Sequence, residues 1–243
     1  MPAELDGLRR DQAAGALLQR RMLPASPVLH NKVRIDYQLW PASGMTGDFV
    51  DVVVPSSSEI VFVIADMAGH GAPAALVTVL IKSFMCRLAD AALTGHDPAQ
   101  LLAALNTELL ALGLERHVCA LCGVVSADNA LTLAGGGMLP GPLLHHSGEQ
   151  TAEVIELPGK ALGLFAETGC ESTSCSWDAG DRLTVVTDGV LEFMPDTELQ
   201  AKEAQLVIAA AQASEAAFWD ALSISPKAGG PDDLTWFCLE RVA

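Results

Sequence analysis

Two hydrophobic periods alternate along the chain. Residues 72–91 and 98–112 repeat apolar side chains every three or four positions, which predicts two helices, the second with Pro98 near its start. Val33–Trp40 alternates apolar and polar residues and reads as a strand. Asp48–Val54 and Glu59–Ala65, joined across Pro55–Ser58, read as a hairpin. Short strand-like runs follow at His117–Val125, Ala130–Ala134, Pro142–His146, Val154–Leu157, Thr173–Trp177 and Leu183–Thr187. Helical segments at Thr197–Ala211 and Glu215–Leu222 precede a closing strand at Leu234–Arg241. At the other end, residues 3–22 form a helix without a clean heptad, weakened by Gly15, that stops at Leu23-Pro24 before a loop over Pro24–Asn31. Strands and helices come in blocks rather than in strict alternation, which predicts an α+β layered sandwich of antiparallel sheets. The division expected is an N-terminal regulatory or linker helix over residues 1–24 and a single domain over 25–243.

Charge sharpens this picture. The chain has 243 residues with 14 basic and 30 acidic side chains, a formal net charge of −16. Six of the basic residues fall in the first 34 positions, so the remainder carries 8 basic against 27 acidic residues, net −19. Such a body repels phosphate backbones and anionic lipid, so nucleic-acid and membrane roles are not expected, whereas cation binding is. No uninterrupted apolar run approaches the ~18 residues of a membrane span, and Glu4 and Asp6 interrupt any secretory core, which leads us to expect a cytoplasmic protein. Cys119 and Cys122 form one CxxC, but inside an apolar run and without a second pair, so they read as strand cysteines rather than a zinc site.

Four segments place aspartate at the edge of an apolar strand beside a tight-turn residue. They are Gly47-Asp48, Ala65-Asp66, Thr187-Asp188-Gly189 and Pro231-Asp232-Asp233. One Asp-Gly at a strand end is ordinarily a solvated turn. Four in a chain with few charges suggest convergence on a hard divalent cation such as Mg²⁺ or Mn²⁺. Two ions roughly 3.5–4 Å apart can share a water and clamp the oxygens of an in-line phosphoryl displacement. His70, between Gly69 and Gly71, is either a packed turn residue or a ligand or base.

In order, LQRRMLP (18–24), SGMTGDFVD (43–51), IADMAGHGAPAAL (64–76), LAGGGMLPGPLL (133–144), KALGLF (160–165), DRLTVVTDGVLEF (181–193) and GGPDDLTWFCLE (229–240) span nearly the whole chain. As a set they resemble the metal-dependent serine/threonine protein phosphatases of the PPM family, in the bacterial branch named after the sporulation phosphatase SpoIIE. The resemblance implies two antiparallel sheets flanked by helices. It makes Asp66 the carboxylate that bridges two Mn²⁺ or Mg²⁺ ions, with the backbone carbonyl of Met67 facing one of them. Asp48, 18 residues upstream, supplies a second carboxylate; Asp188 and Asp232 complete the coordination of the second ion, with Asp233 the neighbouring candidate. The Asn and His that often stand near residues 133–137 are replaced here by Leu133-Ala134-Gly135-Gly136-Gly137.

The function implied is hydrolysis of phosphoserine or phosphothreonine on a protein by a metal-activated water, carried by Asp66, Asp48 and Asp188. Its partner would be a phosphorylated STAS-type anti-sigma-factor antagonist. The first helix would link to an upstream receiver or sensor domain, or pair two copies of the chain. The competing reading is a catalytically silent module of the same fold that sequesters a signalling partner, which would be expected to lack one of these carboxylates.

Overall fold

The computed structural model describes residues 2–56, 59–69, 71–91, 95–113, 116–195, 198–226 and 230–242. Its strands form two sheets, antiparallel throughout. The first runs β1 (Val28–His30), β2 (Val33–Trp40), β11 (Leu234–Arg241), β10 (Arg182–Val186), β7 (Leu143–His145), β8 (Glu153–Val154). The second runs β3 (Phe49–Ser56), β4 (Glu59–Met67), β5 (Val118–Val125), β6 (Leu131–Gly136), β9 (Thr173–Cys175). Alternation sends Ile35, Tyr37, Phe237 and Val185 of one sheet against Ile60, Phe62, Ile64 and Leu121 of the other. The opposite face of the second sheet buries Phe49, Val63 and Ala65 beneath α2 (Ala72–Ala91) and α3 (Pro98–Leu112). On the first sheet, Val186, Leu234 and Trp236 pack against α4 (Gly189–Phe193), α5 (Leu199–Ala210) and α6 (Glu215–Leu222). This is the sandwich with outer helices expected from the sequence.

Local chemistry explains the sharpest boundaries. Asp97 accepts a hydrogen bond from Gln100 N to cap α3, Pro98 occupies its first turn, and Gly113 closes it in the left-handed conformation. Between the sheets, Phe62 stacks on Phe237 with centroids 5.1 Å apart. Gly123, its cross-strand partner, leaves the room that the Phe62 ring fills. Gly123→Ala would drive a methyl into that ring and should destabilise the fold by about 1–3 kcal/mol, read as a lower denaturation midpoint at unchanged slope.

Several expectations are corrected. Val28–His30, read as loop, is a strand paired to β2 through a turn at Asn31 and Lys32, both at positive φ. The Asp188-Gly189 turn leads into the helix α4, whose five residues are too few to show a hydrophobic period. The run at Val154–Leu157 pairs only over Glu153–Val154. The helix expected from Thr197 begins at Leu199, and residue 197 lies outside the described residues, as does His70. By length and composition alone, Ala72–Ala89 of α2 could cross a membrane. Lys82 and Arg87 interrupt its apolar run, so no uninterrupted stretch reaches that length. Its Val77, Ile81 and Met85 are buried in the core against the second sheet, and Lys82 pairs with the fully buried Asp51 of β3 at 2.9 Å. Strand alternation puts Cys119 and Cys122 on opposite faces of β5, so the two thiols cannot share one ion.

Candidate metal centre

The four aspartate segments meet at one end of the cleft between the sheets. Asp48 leads into β3 and Asp66 lies near the end of β4, both in the second sheet; Asp188 follows β10, and Asp232 and Asp233 precede β11, in the first. Close backbone approaches draw the segments together. A Cβ on Gly47 would lie 2.8 Å from the Met67 carbonyl oxygen, which therefore sits over the Gly47-Asp48 turn. A Cβ on Gly189 would collide with the Asp233 carbonyl, so the Thr187-Asp188-Gly189 turn rests directly on the 232–233 segment.

Asp48 is buried, and its Oδ2 joins the sheets by accepting hydrogen bonds from Thr187 Oγ1 at 2.8 Å and Thr235 Oγ1 at 2.6 Å. Thr235 N donates in turn to Thr187 Oγ1 at 2.9 Å. Asp233, also buried, accepts from Ala42 N through Oδ1 and from Gly47 N through Oδ2, both at 2.8 Å. Both its oxygens thus hold the 41–47 turn that carries Asp48. From the opposite side, Gln19 of α1 (Pro2–Met22) grips the same turn: Nε2 donates to Thr46 O at 2.7 Å and Oε1 accepts from Thr46 N at 3.1 Å. Gln19 Nε2 also reaches Thr78 Oγ1 of α2 at 3.2 Å. Nothing in the composition of the first helix pointed to Gln19; its polar position on the face toward the domain was the available signal.

The electrostatics are those of crowded carboxylates. Burial first, then the Asp66 charge, raises Asp48 well above the ordinary carboxylate range, against the two threonine hydroxyls. Asp66 is pushed up to about 7, by burial and then by Asp188. Asp188, although solvent-exposed on one side, is raised by burial of its carboxyl and by Asp232, while a hydrogen bond from Asp66 lowers it. The Asp66 and Asp188 carboxyls therefore lie within hydrogen-bonding reach of one another. Either a shared proton or a divalent cation can hold such a pair together. Among the described residues, no three His, Cys, Asp or Glu side chains are gathered closely enough to hold a metal ion by themselves. The carboxylates are linked in pairs instead, Asp66 with Asp188 and Asp188 with Asp232, and offer oxygen donors, the type that Mg²⁺ and Mn²⁺ prefer. Cys119, opposite Asp66 across β4 and β5, has its thiol pushed up to about 11 by burial, then by Asp66 and Asp188.

A cavity of about 360 Å³ lies elsewhere, on the outer face of the first sheet beside α6. Two of its charged groups already have partners, Arg34 with Asp36 and Arg182 with the carbonyls of Ala211 and Gln212. It is remote from the aspartates, and the cleft end is the stronger candidate.

Known proteins give the arrangement its context. Phosphoserine phosphatases RsbU and RsbP of Bacillus subtilis (strain 168) are 28% and 23% identical over 214 and 190 residues, covering 83% and 76% of this chain. The chain spans only 61% and 46% of their lengths. The SiaA-PP2C domain of Pseudomonas aeruginosa superposes with a TM-score of 0.78 at 21% identity, covering 99% of both chains. The structure of the RsbU and RsbW domains of Rv1364c from Mycobacterium tuberculosis gives a TM-score of 0.72 at 24% identity, over 91% of this chain and 62% of that one. The two antiparallel sheets and their outer helices thus form a PPM/PP2C-like fold. Residues 56–242 match the model of the stage II sporulation protein E (SpoIIE) family, and the chain belongs to that family.

Proposed function

We propose that this chain is a divalent-metal-dependent phosphatase acting on phosphoserine or phosphothreonine of a protein partner. The carrying observation is the convergence of Asp48, Asp66, Asp188 and Asp232 from both sheets on one cleft end, where burial first and mutual repulsion second raise three of them. Asp66 would be shared between two Mn²⁺ or Mg²⁺ ions. The Met67 carbonyl and Asp48 would serve one side, Asp188 and Asp232 the other. Asp233 adjoins this set, and its oxygens hold the Ala42 and Gly47 amides. When bound, the cations supply charge neutralisation at the phosphoryl oxygens and acidify a water molecule.

The chain's own residues do the rest. Thr187 and Thr235 fix the Asp48 carboxylate in one orientation, and Gln19 and Asp233 hold its turn from two sides. This rigidity is what a carboxylate needs to present oxygen at a fixed place. The Cys119 thiol, pushed up to about 11, remains protonated near neutral pH, so a cysteine-phosphate route gains no support.

The names of the two Bacillus relatives support a phosphoserine substrate, and the family supports a signalling role. The more specific reading is a phosphorylated STAS-type anti-sigma-factor antagonist, met in the cytoplasm. The chain would be the output domain, residues 25–243, of a larger regulator, reached through the arm over residues 1–24. The discriminating experiment incubates the chain with such a phosphoserine-bearing domain and Mn²⁺. Release of inorganic phosphate is expected; tight binding without release would establish the silent, sequestering module instead.

The arm makes a separate prediction. Gln19 is buried, and removing residues 1–22 strips three hydrogen bonds from Thr46 and Thr78. Deletion should lower specific activity on the order of tenfold or change the mass in solution, since loss of buried bonds costs about 1–3 kcal/mol at the turn that carries Asp48. Unchanged turnover and unchanged mass by light scattering would leave the helix no part in control.

A further inference from the structure

Beyond the aspartates, we infer that Arg116 is the side chain that binds the substrate's phosphoryl group at the mouth of the cleft. The inference rests on the phosphatase reading and names a residue that reading does not use.

Arg116 stands just ahead of β5, whose Val118 and Cys119 pair with Met67 and Asp66. It is therefore on the strand end next to the one carrying the shared carboxylate. Its Nη1 donates to the Ala68 carbonyl at 3.0 Å, two residues past Asp66. The guanidinium lies so close over Gly69 that a Cβ there would collide with Nη1, and Gly69 adopts a φ of +93°. Gly163 leaves similar room on the other side, where a Cβ would come within 3.0 Å of the Arg116 carbonyl. Two glycines thus seat Arg116 against the aspartate turn, and its side chain is still exposed. The Ala68 bond uses one of five N–H donors, leaving most of the planar fork for a ligand.

Charge gives that fork its task. After residue 34 the chain has 8 basic against 27 acidic residues, and Asp48, Asp66, Asp188 and Asp232 lie on the strand ends that meet here. A phosphomonoester dianion approaching them meets repulsion that bound cations would offset only in part. A guanidinium matches the remaining oxygens in geometry and sign, by paired N–H···O bonds that a lysine cannot reproduce. If Arg116 merely braced the Met67–Gly69 turn, its loss would disturb cation binding instead.

The test compares wild type with Arg116→Ala and Arg116→Lys. Calorimetry measures Mn²⁺ binding and, with Mn²⁺ present, inorganic phosphate binding; p-nitrophenyl phosphate hydrolysis gives kcat and KM separately. Arg116→Ala should weaken phosphate binding and raise KM about 10- to 30-fold, with kcat changed less than about threefold and Mn²⁺ affinity retained. Arg116→Lys should fall between. Unchanged phosphate affinity in Arg116→Ala, or Mn²⁺ and phosphate affinity falling together, would overturn the assignment. Phosphate binding that depends on Arg116 in a protein with no hydrolysis would uphold it and overturn the phosphatase reading alone.

Discussion

Asp66→Asn is expected to abolish Mn²⁺-dependent hydrolysis, by at least about a thousandfold, while leaving the protein folded. Asparagine keeps the shape of the side chain but removes the charge that two ions would share. The variant also relieves a strained cluster. Asp66 sits among Asp188, Asp232 and Asp233, and burial, then their repulsion, pushes its carboxyl up to about 7. Removing an ionisable group from such crowding should hold or raise the thermal midpoint in the absence of metal. Activity loss with retained stability is therefore the signature of a cation site, and activity loss with unfolding is that of a packing defect. Near-wild-type turnover at saturating Mn²⁺ would exclude Asp66 as the shared ligand. Asp48→Asn should lose activity similarly. Asp48→Ala should also lose stability, because Asp48 Oδ2 holds Thr187 and Thr235 across the sheets at 2.8 and 2.6 Å and no acceptor would replace it.

A second large effect is expected in substrate selection. The surface after residue 34 is net −19, so a short phosphopeptide has few basic side chains to meet beyond the cleft itself. On the proposed function, selectivity is expected to come from docking a folded partner over a wider area. Leu139, Leu164 and Phe165 are exposed apolar residues in the 133–144 and 160–165 segments, where such a partner could settle. An intact phosphorylated antagonist domain should show kcat/KM at least ~100-fold above that of a peptide bearing the same serine, about 2.7 kcal/mol in transition-state binding. Equal values for domain and peptide would point to a broad-specificity phosphatase.

Much of this molecule is legible from its residues, for identifiable reasons. Helices α2, α3 and α6 and strands β2 and β11 match their predicted limits because strong periodicity coincides with clear terminators. At α3 these are Asp97, Pro98 and Gly113. β1 escaped because three residues cannot show a period, and its turn uses Lys32 at positive φ, where glycine would have been the signal. Gly135 and Gly136, which look like loop residues, belong to β6; Leu157 and Leu162 pack where their side chains would be. At the site, the candidate aspartates were visible as strand-end residues beside turns. Their division of labour was not. Asp233 reads as a ligand as readily as Asp232, and only the fold shows both its oxygens on the Ala42 and Gly47 amides. Gln19 and Arg116 were equally hidden, since each acts on a segment distant in sequence, Thr46 and Ala68.

Hydrolysis of p-nitrophenyl phosphate by the wild-type chain, followed across a Mn²⁺ titration and in excess chelator, tests the central claim most directly. A carboxylate-held cation centre predicts no turnover in chelator and a saturable rise with Mn²⁺ that Asp66→Asn does not show. Equal rates in chelator and in Mn²⁺ would contradict it.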